Sequence, residues 1–309
     1  MPPPPIPRRR LLAPLVAVAL LLLVRCAHAP AAPRAFGTLW ICDTAQPIAA
    51  NVVTFRDAGG YDAGRGVPWL AAEPPRAGQA SHSARRGLPD RATLADLQRH
   101  VHQFVLHYDA TGTSRQCFKV LQSRNLSVHF LLDVDGTIYQ TLDLREKAHH
   151  ATIANDGSIG VEIAHPGAWP QPMNADMRRW YEADADGWRM RFPNWIEHGV
   201  ATPGFTARPA RPEIVAGTVN GRVWHQLDFT EAQYRSLAAL CAALAAVFPR
   251  LRLEAPRDQQ GRIVDHALPP EQLRAFDGIV GHFHVQADKQ DPGPAFQWER
   301  VLAEARALR

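Results

Sequence analysis

The stretch GIVGHFHVQADKQDPGPAFQW, residues 278–298, constrains the fold more than any other part of the chain. A short apolar run in it leads to His282, and the loop that follows contains Lys289 and Asp291. Imidazole and carboxylate groups are ligands of catalytic zinc sites, which take three protein ligands and leave one position open. His107, which ends another apolar run, is the candidate for the third ligand. The fold must therefore bring together side chains that are far apart in the sequence.

Two further residues supply what a hydrolytic metal site needs. The run SIGVEIA alternates, which predicts a strand with its large apolar residues on one face. Glu162 then lies on the other face among small residues, as in the floor of a pocket. A carboxylate there is suited to accept a proton from water, and Lys289 is suited to stabilise negative charge on a substrate. The sequence thus predicts Glu162 and Lys289 as a catalytic pair.

Strand and helix patterns interleave from about Ala92 onward. Two apolar runs joined through Asp135-Gly136 predict a hairpin. The clearest helix spans Thr230–Phe248, where Thr230 and Gln233 form a capping box. Ser114 is expected to cap the helix over 114–123. Other helices are expected at 93–100, 270–276 and 295–308, and other strands at 103–106 and 278–281. This order predicts an α/β (α+β) fold, a β-sheet with helices on both faces.

The N-terminal 29 residues have the pattern of a secretion signal. Arg8-Arg9-Arg10 precedes an uncharged apolar run that is too short for a comfortable permanent membrane anchor. Two processing routes remain open: lipidation of Cys26, with the signal ending before it, or cleavage near Ala29 and release. Both predict an exported protein, in the periplasm or anchored to the outer membrane.

The rest of the chain divides into three predicted parts. Residues 30–91, rich in Ala, Pro, Gly and Arg, predict an irregular N-terminal arm in which 48–55 is a candidate strand, and residues 92–309 predict the catalytic domain. Within it, residues 165–224 break the regular pattern and predict a long insertion over the site. The tryptophans of the insertion could stack on sugar or peptide, but tryptophan in an irregular segment more often supplies that segment's own core. These are Trp169, Trp180, Trp188 and Trp195.

Charge and cysteine content add weaker constraints. The net charge is +4, and no compact run of Lys and Arg interleaved with aromatic residues occurs, so nucleic acid is not an expected partner. The cysteine spacing identifies no disulfide, and Cys117 and Cys241 are expected to be small buried residues. We expect a monomer, with membrane contact only through a lipidated Cys26.

Four stretches in a fixed order carry a resemblance to a known family: FVLHYDAT, HFLLDVDGTIYQ, KAHHA followed by NDGSIGVEIA, and GHFHVQADKQDPGPAFQW. Over about residues 100–165 and 225–303, the chain resembles zinc-dependent N-acetylmuramoyl-L-alanine amidases of the type 2 class. Relatives of that class include phage amidase lysozymes and animal peptidoglycan recognition proteins. The chain is most similar to the bacterial branch, because it combines Asp291 with Glu162 and has Val128 where the phage branch has a tyrosine.

The resemblance implies a central mixed β-sheet flanked by helices. It also implies one Zn²⁺ per chain, held by His107, His282 and Asp291, with Glu162 and Lys289 as the catalytic pair. The implied reaction is hydrolysis of the amide bond between N-acetylmuramic acid and L-alanine of peptidoglycan or muropeptides, in cell-wall turnover.

Other parts of the resemblance leave more than one interpretation open. His150 aligns with a family histidine near the substrate cleft, so a binding role and a structural role are both open for it, and His150 and Asn155 are the candidate substrate contacts. His284 competes with His282 as a ligand by position, but the family pattern selects His282. Two alternative functions remain: a non-catalytic peptidoglycan-binding protein, or a zinc hydrolase that acts on another amide or peptide bond.

Overall fold

The computed structural model describes residues 1–2, 37–64 and 81–309, and the residues from Gly37 onward belong to one compact unit, Pro33–Arg309. The predicted signal segment and Cys26 lie outside the described residues. The strands in chain order are β1 (Gly37–Ile41), β2 (Thr44–Ile48), β3 (Val52–Thr54), β4 (His82–Ala84), β5 (Gln103–Tyr108), β6 (Phe130–Leu132), β7 (Ile138–Gln140), β8 (Glu146–Ala148), β9 (Ser158–Ile163), β10 (Tyr181–Asp184), β11 (Gly187–Met190), β12 (Val215–Val219), β13 (Arg222–Gln226) and β14 (Gly278–Gly281).

The helices lie between these strands and after them. They are α1 (Leu94–His100), α2 (Ser114–Ser123), α3 (Ala175–Trp180), α4 (Glu231–Val247), α5 (Pro270–Ala275), α6 (His282–Val285) and α7 (Trp298–Ala307), with a 3₁₀ turn at Thr152–Ala154. Among these described residues, no helix has both the length and the apolar character that crossing a membrane requires.

A six-stranded mixed sheet organises the fold, in the order β14-β5-β9-β6-β7-β3. The pairs β14–β5, β5–β9, β9–β6 and β7–β3 are parallel, whereas β6–β7 is the antiparallel hairpin predicted at Asp135-Gly136. Because β14, β5, β9 and β6 run in one direction, their carboxyl ends meet at one edge of the sheet. The predicted fold class is confirmed.

Helices cover both faces of the sheet. Phe130 and Leu132 on β6 pack into the large core that contains α4 and α7, whereas Leu131 between them packs into a second cluster with Phe118 of α2. Strand residues alternate between faces, so this split places α4 and α2 on opposite sides. Thr230 caps α4 through the predicted capping box. Most of the buried face of α4 is alanine and leucine, which favours both helix formation and close packing.

The N-terminal segment departs from the predicted irregular arm. Residues 37–64 form β1, β2 and β3, and β3 pairs with β7 to border the central sheet. Leu39, Ile41 and Ile48 are buried in the main core. The β1–β2 hairpin buries these apolar side chains. The strand pattern is hard to see in the sequence, because Ala, Pro, Gly and Arg are abundant across residues 30–91.

The insertion at 165–224 is also more regular than its sequence predicts. It contains α3, the β10–β11 hairpin and most of the β12–β13 hairpin. Trp169, Trp180 and Trp188 pack against its own small core, as predicted, while Trp195 is exposed.

Helix boundaries differ from prediction by a few residues. Thr113 rather than Ser114 caps α2, because its hydroxyl accepts from the Gln116 amide. The last helix begins at Trp298, three residues later than predicted.

Candidate metal centre and active site

The carboxyl ends of three parallel strands position the candidate site. His107 on β5 lies directly opposite Glu162 on β9, and Gly281 at the end of β14 lies opposite Leu106. His282 follows immediately as the first residue of α6. The sheet register therefore brings the predicted histidines and the predicted carboxylate to one edge.

Three of the predicted site residues form a compact buried group. Nδ1 of His107, Nδ1 of His282 and Oδ2 of Asp291 lie 3.0 Å from one another in all three pairs. Ligand atoms about 2.0 Å from a tetrahedral zinc ion lie about 3.3 Å apart, so a small outward movement fits this triangle to zinc. Among the described residues, these three side chains are the group of His, Cys, Asp and Glu whose ligand atoms are close enough together to hold a metal ion.

Hydrogen bonds on the far side of each imidazole orient its lone pair toward this triangle. Nε2 of His282 lies 3.0 Å from Oε1 of Gln286, an acceptor, so Nε2 carries a hydrogen and Nδ1 is the nitrogen that faces His107 and Asp291. Nε2 of His107 lies 2.9 Å from Nδ1 of His150, whose Nε2 lies 3.3 Å from Oγ of Ser158. Such partners on the second ring nitrogen are typical of metal-ligating histidines. The residues present therefore fit a divalent metal ion.

The electrostatics of the group agree with this assignment. Burial, with the nearby His282, lowers the pKa of His107 to about 4, so this imidazole is neutral. Burial opposes ionisation of Asp291, but the charges and hydrogen bonds of the two histidines outweigh it and lower its pKa. Burial likewise opposes charge on His282, whose pKa Asp291 nevertheless raises. A divalent cation binds neutral imidazole and carboxylate, so it would replace the proton that Asp291 now stabilises.

Glu162 lies on the same sheet face as His107 and has an oxygen available for chemistry. Its Oε2 is buried and makes no hydrogen bond. Burial, followed by the negative charge of Asp291, raises the pKa of Glu162 well above its usual value. A carboxylate in this state binds a proton readily, which a general base requires.

Lys289 is at the rim of the site and partly exposed. Its Nζ lies 3.8 Å from Oδ2 of Asp288, and its positive charge is close enough to disfavour protonation of His107 and His282. The loop thus presents a cation beside the metal group.

His150 and Asn155 belong to a loop that supports His107. The His150 ring lies over Gly160, where an added Cβ would come within 2.6 Å of the ring. Oδ1 of Asn155 accepts hydrogen bonds from the backbone amides of His150 at 3.0 Å and Ala151 at 2.6 Å. These contacts give both residues a structural role, and their contact with substrate stays a prediction.

The sequence interpretation missed two residues that contact the site. Gln286 orients His282, and Asn220, from the insertion, binds the loop that carries Lys289. The dipeptide Asn220-Gly221 between apolar residues is a hairpin signal that could have indicated this turn. His284 is not part of the metal group: its Nδ1 accepts from the Gly281 amide and its Nε2 contacts the Val264 carbonyl.

The family model described as N-acetylmuramoyl-L-alanine amidase (Amidase_2) matches residues 97–294, more than half of the chain. This chain belongs to that family. The matched range contains His107, Glu162, His282, Lys289 and Asp291. None of the curated proteins matches the chain.

Several solved structures are similar to this chain at low identity. A selenomethionine derivative of AmpD is 20% identical with a TM-score of 0.36, and the match covers 80% of this chain and 98% of AmpD. AmiD from E. coli, solved with anhydro-N-acetylmuramic acid-L-Ala-D-γ-Glu-L-Lys, is 18% identical with a TM-score of 0.37, covering 72% of this chain and 60% of AmiD. A Drosophila PGRP-LB mutant in complex with tracheal cytotoxin is 12% identical with a TM-score of 0.34, covering 80% and 91%. The family assignment rests on the sequence match.

Proposed function

We propose that this chain is a zinc-dependent N-acetylmuramoyl-L-alanine amidase. It hydrolyses the amide bond between N-acetylmuramic acid and L-alanine of peptidoglycan or muropeptides in cell-wall turnover. The observation that carries the proposal is the triangle of two imidazole nitrogens and a carboxylate oxygen, all 3.0 Å apart, within the range that matches the family.

His107, His282 and Asp291 would hold the metal. Zinc, when bound, supplies a Lewis acid that polarises a carbonyl and lowers the pKa of water to about 7. Two side chains of the chain itself, Glu162 and Lys289, supply proton transfer and charge stabilisation.

Glu162 acts as general base and then as general acid. Its unpartnered Oε2 accepts a proton from water as the water attacks the carbonyl. Burial favours the protonated carboxyl that results, which is why the pKa of Glu162 is raised. Glu162 then donates that proton to the leaving nitrogen of L-alanine. Lys289 stabilises the negative charge that develops on the carbonyl oxygen, because a nearby cation lowers the energy of an oxyanion.

Substrate and location follow from the same proposal. AmiD, a structural neighbour, is solved with a muropeptide, which supports the same substrate class here. The N-terminal signal pattern supports export to the periplasm or, through a lipidated Cys26, anchoring at the outer membrane.

Digestion of purified peptidoglycan by the zinc-loaded protein tests the activity. Release of stem peptides with N-terminal alanine is expected. Cleavage within the peptide would instead indicate a different zinc hydrolase, and tight binding without cleavage would indicate a binding protein.

Two substitutions test the residue roles, Glu162→Gln and Lys289→Ala, each with zinc content measured. Both variants should retain zinc and lose at least about 100-fold in kcat, as removal of a general base or an oxyanion partner does in other enzymes. Glu271→Gln, an exposed side chain of α5, is the control. Full activity in either variant with zinc retained would remove that residue from the mechanism.

A further inference from the structure

The β12–β13 hairpin is fastened to the loop that carries Lys289. Its turn is Asn220-Gly221, with φ values of 49° and 72°, as a two-residue hairpin turn of this kind requires. Nδ2 of Asn220 donates to the carbonyl of Lys289 at 2.8 Å and to the carbonyls of Phe283 and Gln286 at 3.3 Å each. The tip of the insertion therefore holds three backbone carbonyls, one in α6 and two in the loop after it, residues 286–297, here called the catalytic loop.

The base of the hairpin contacts the same loop beyond Asp291. Nε2 of Gln226 donates to the Pro292 carbonyl at 3.0 Å, and its Oε1 accepts from the Ala295 amide at 2.9 Å. Side chains alternate along a strand, so Arg222 and Trp224 share the strand face of Gln226. The face of β13 that bears these three residues is turned toward the catalytic loop.

Arg222 and Trp224 enclose a pocket together with that loop. The pocket has a volume of about 390 Å³ and is lined by Val219, Asn220, Arg222, Trp224, Ala287, Asp288, Lys289 and Gln290. No side-chain partner of Arg222 is found among residues 37–64 and 81–309. Asp288, the one acidic residue of the pocket, lies 3.8 Å from Lys289. The charge of Arg222 is therefore not compensated within the pocket.

We propose that this pocket is a substrate subsite that binds a carboxylate of the acidic stem peptide, with Arg222 as the specificity-determining residue. A guanidinium group binds a carboxylate through two parallel hydrogen bonds, and the flat Trp224 ring covers apolar parts of a peptide. A stem peptide with a γ-linked glutamate, as in the AmiD complex, carries a free α-carboxylate. The proposal rests on the proposed amidase function, since it names the part of that substrate which the insertion recognises.

Calorimetric titration of the full, zinc-loaded chain tests the subsite without hydrolysis. The probe is the peptide L-Ala-γ-D-Glu-L-Lys, which contains no muramoyl amide, and the comparison is the same peptide with both carboxylates converted to amides. Arg222→Gln removes the charge of the pocket and keeps a long polar side chain. Arg235→Gln is the matched control, because Arg235 is exposed on α4, outside the pocket, and its replacement changes the net charge equally.

The wild-type protein should bind the acidic peptide at least about tenfold more tightly than the diamide, the effect of one charge-assisted hydrogen bond. Arg222→Gln should lose this preference, and Arg235→Gln should keep it. Equal binding of the two peptides by the wild type, or an unchanged preference in Arg222→Gln, would overturn the subsite. Hydrolysis of the intact muropeptide is assayed separately: its absence, with the peptide preference retained, would refute the amidase and leave the subsite standing.

Discussion

Replacing Arg85 by alanine should destabilise the protein by several kcal/mol, although this residue belongs to the segment predicted as an irregular arm. The Arg85 side chain is 2% exposed. Its guanidinium donates to the Leu144 carbonyl at 3.2 Å and the Asp156 carbonyl at 2.5 Å, and lies 3.2 Å from Nε2 of His129. Arg85 thus joins the N-terminal segment to the residues that precede β8, to the loop before β9 and to His129 immediately before β6.

The expected magnitude follows from these contacts. Each buried acceptor left without a donor costs about 1–3 kcal/mol. Part of this loss is offset, because the folded protein no longer has to bury a cation, whose pKa burial lowers to about 10. We therefore expect a net loss of about 2–4 kcal/mol in the free energy of unfolding, from two buried carbonyls at about 1–3 kcal/mol each, less this offset.

Urea unfolding followed by tryptophan fluorescence measures this loss. Arg86→Ala is a closely matched control, since the neighbouring side chain is exposed and its substitution should change stability by about 0.5 kcal/mol or less. A loss below about 1 kcal/mol in Arg85→Ala would refute the reasoning, because the carbonyls would then have found other donors at little cost.

Three further predictions concern the metal, the hairpin and pH. Removal of zinc with a chelator should abolish hydrolysis and lower the melting temperature, and added Zn²⁺ should restore both, as calorimetry and product analysis can show. Asn220→Gly keeps the turn but removes its side-chain bonds to the catalytic loop; kcat should fall at least about tenfold, as steady-state kinetics well below the melting temperature of the variant would show. Burial raises the pKa of Asp133 to about 8, so the folded state retains a proton that the unfolded state loses above pH 4. The contribution of Asp133 to the free energy of unfolding therefore falls as pH rises from about 4 to about 8. In urea titrations, the free energy of unfolding of Asp133→Asn minus that of the wild type should increase from pH 5 to pH 8.

Local rules were sufficient for the elements that the sequence predicted well. The capping box of Thr230 and Gln233 and the apolar stripe after it define α4, and Asp135-Gly136 defines the β6–β7 hairpin. The alternation around Glu162 correctly placed this residue on the polar face of β9. In each case the decisive interactions lie within a few residues of one another, so the pattern is visible in the sequence.

Non-local interactions explain what the sequence did not predict. The run 48–55 is a candidate strand by sequence, but the pairing of Val52–Thr54 with β7 depends on distant residues and is not visible in that run. The burial of Arg85 depends on carbonyl acceptors from two distant segments, at Leu144 and Asp156, and nothing in its own neighbourhood indicates them. Asn220-Gly221 did carry a local hairpin signal, but what the turn contacts is set by the fold of the catalytic loop.

The two outer strands of the central sheet come from opposite ends of the described chain, β3 near its start and β14 near its finish. A fragment that lacks either one would expose the unpaired backbone of β7 or β5, and such edges pair readily with other chains. Partial proteolysis or premature termination should therefore yield aggregating material rather than a smaller working enzyme. The backbone hydrogen bonds of β5 and β7 are therefore complete only after both β14 and β3 have paired with them.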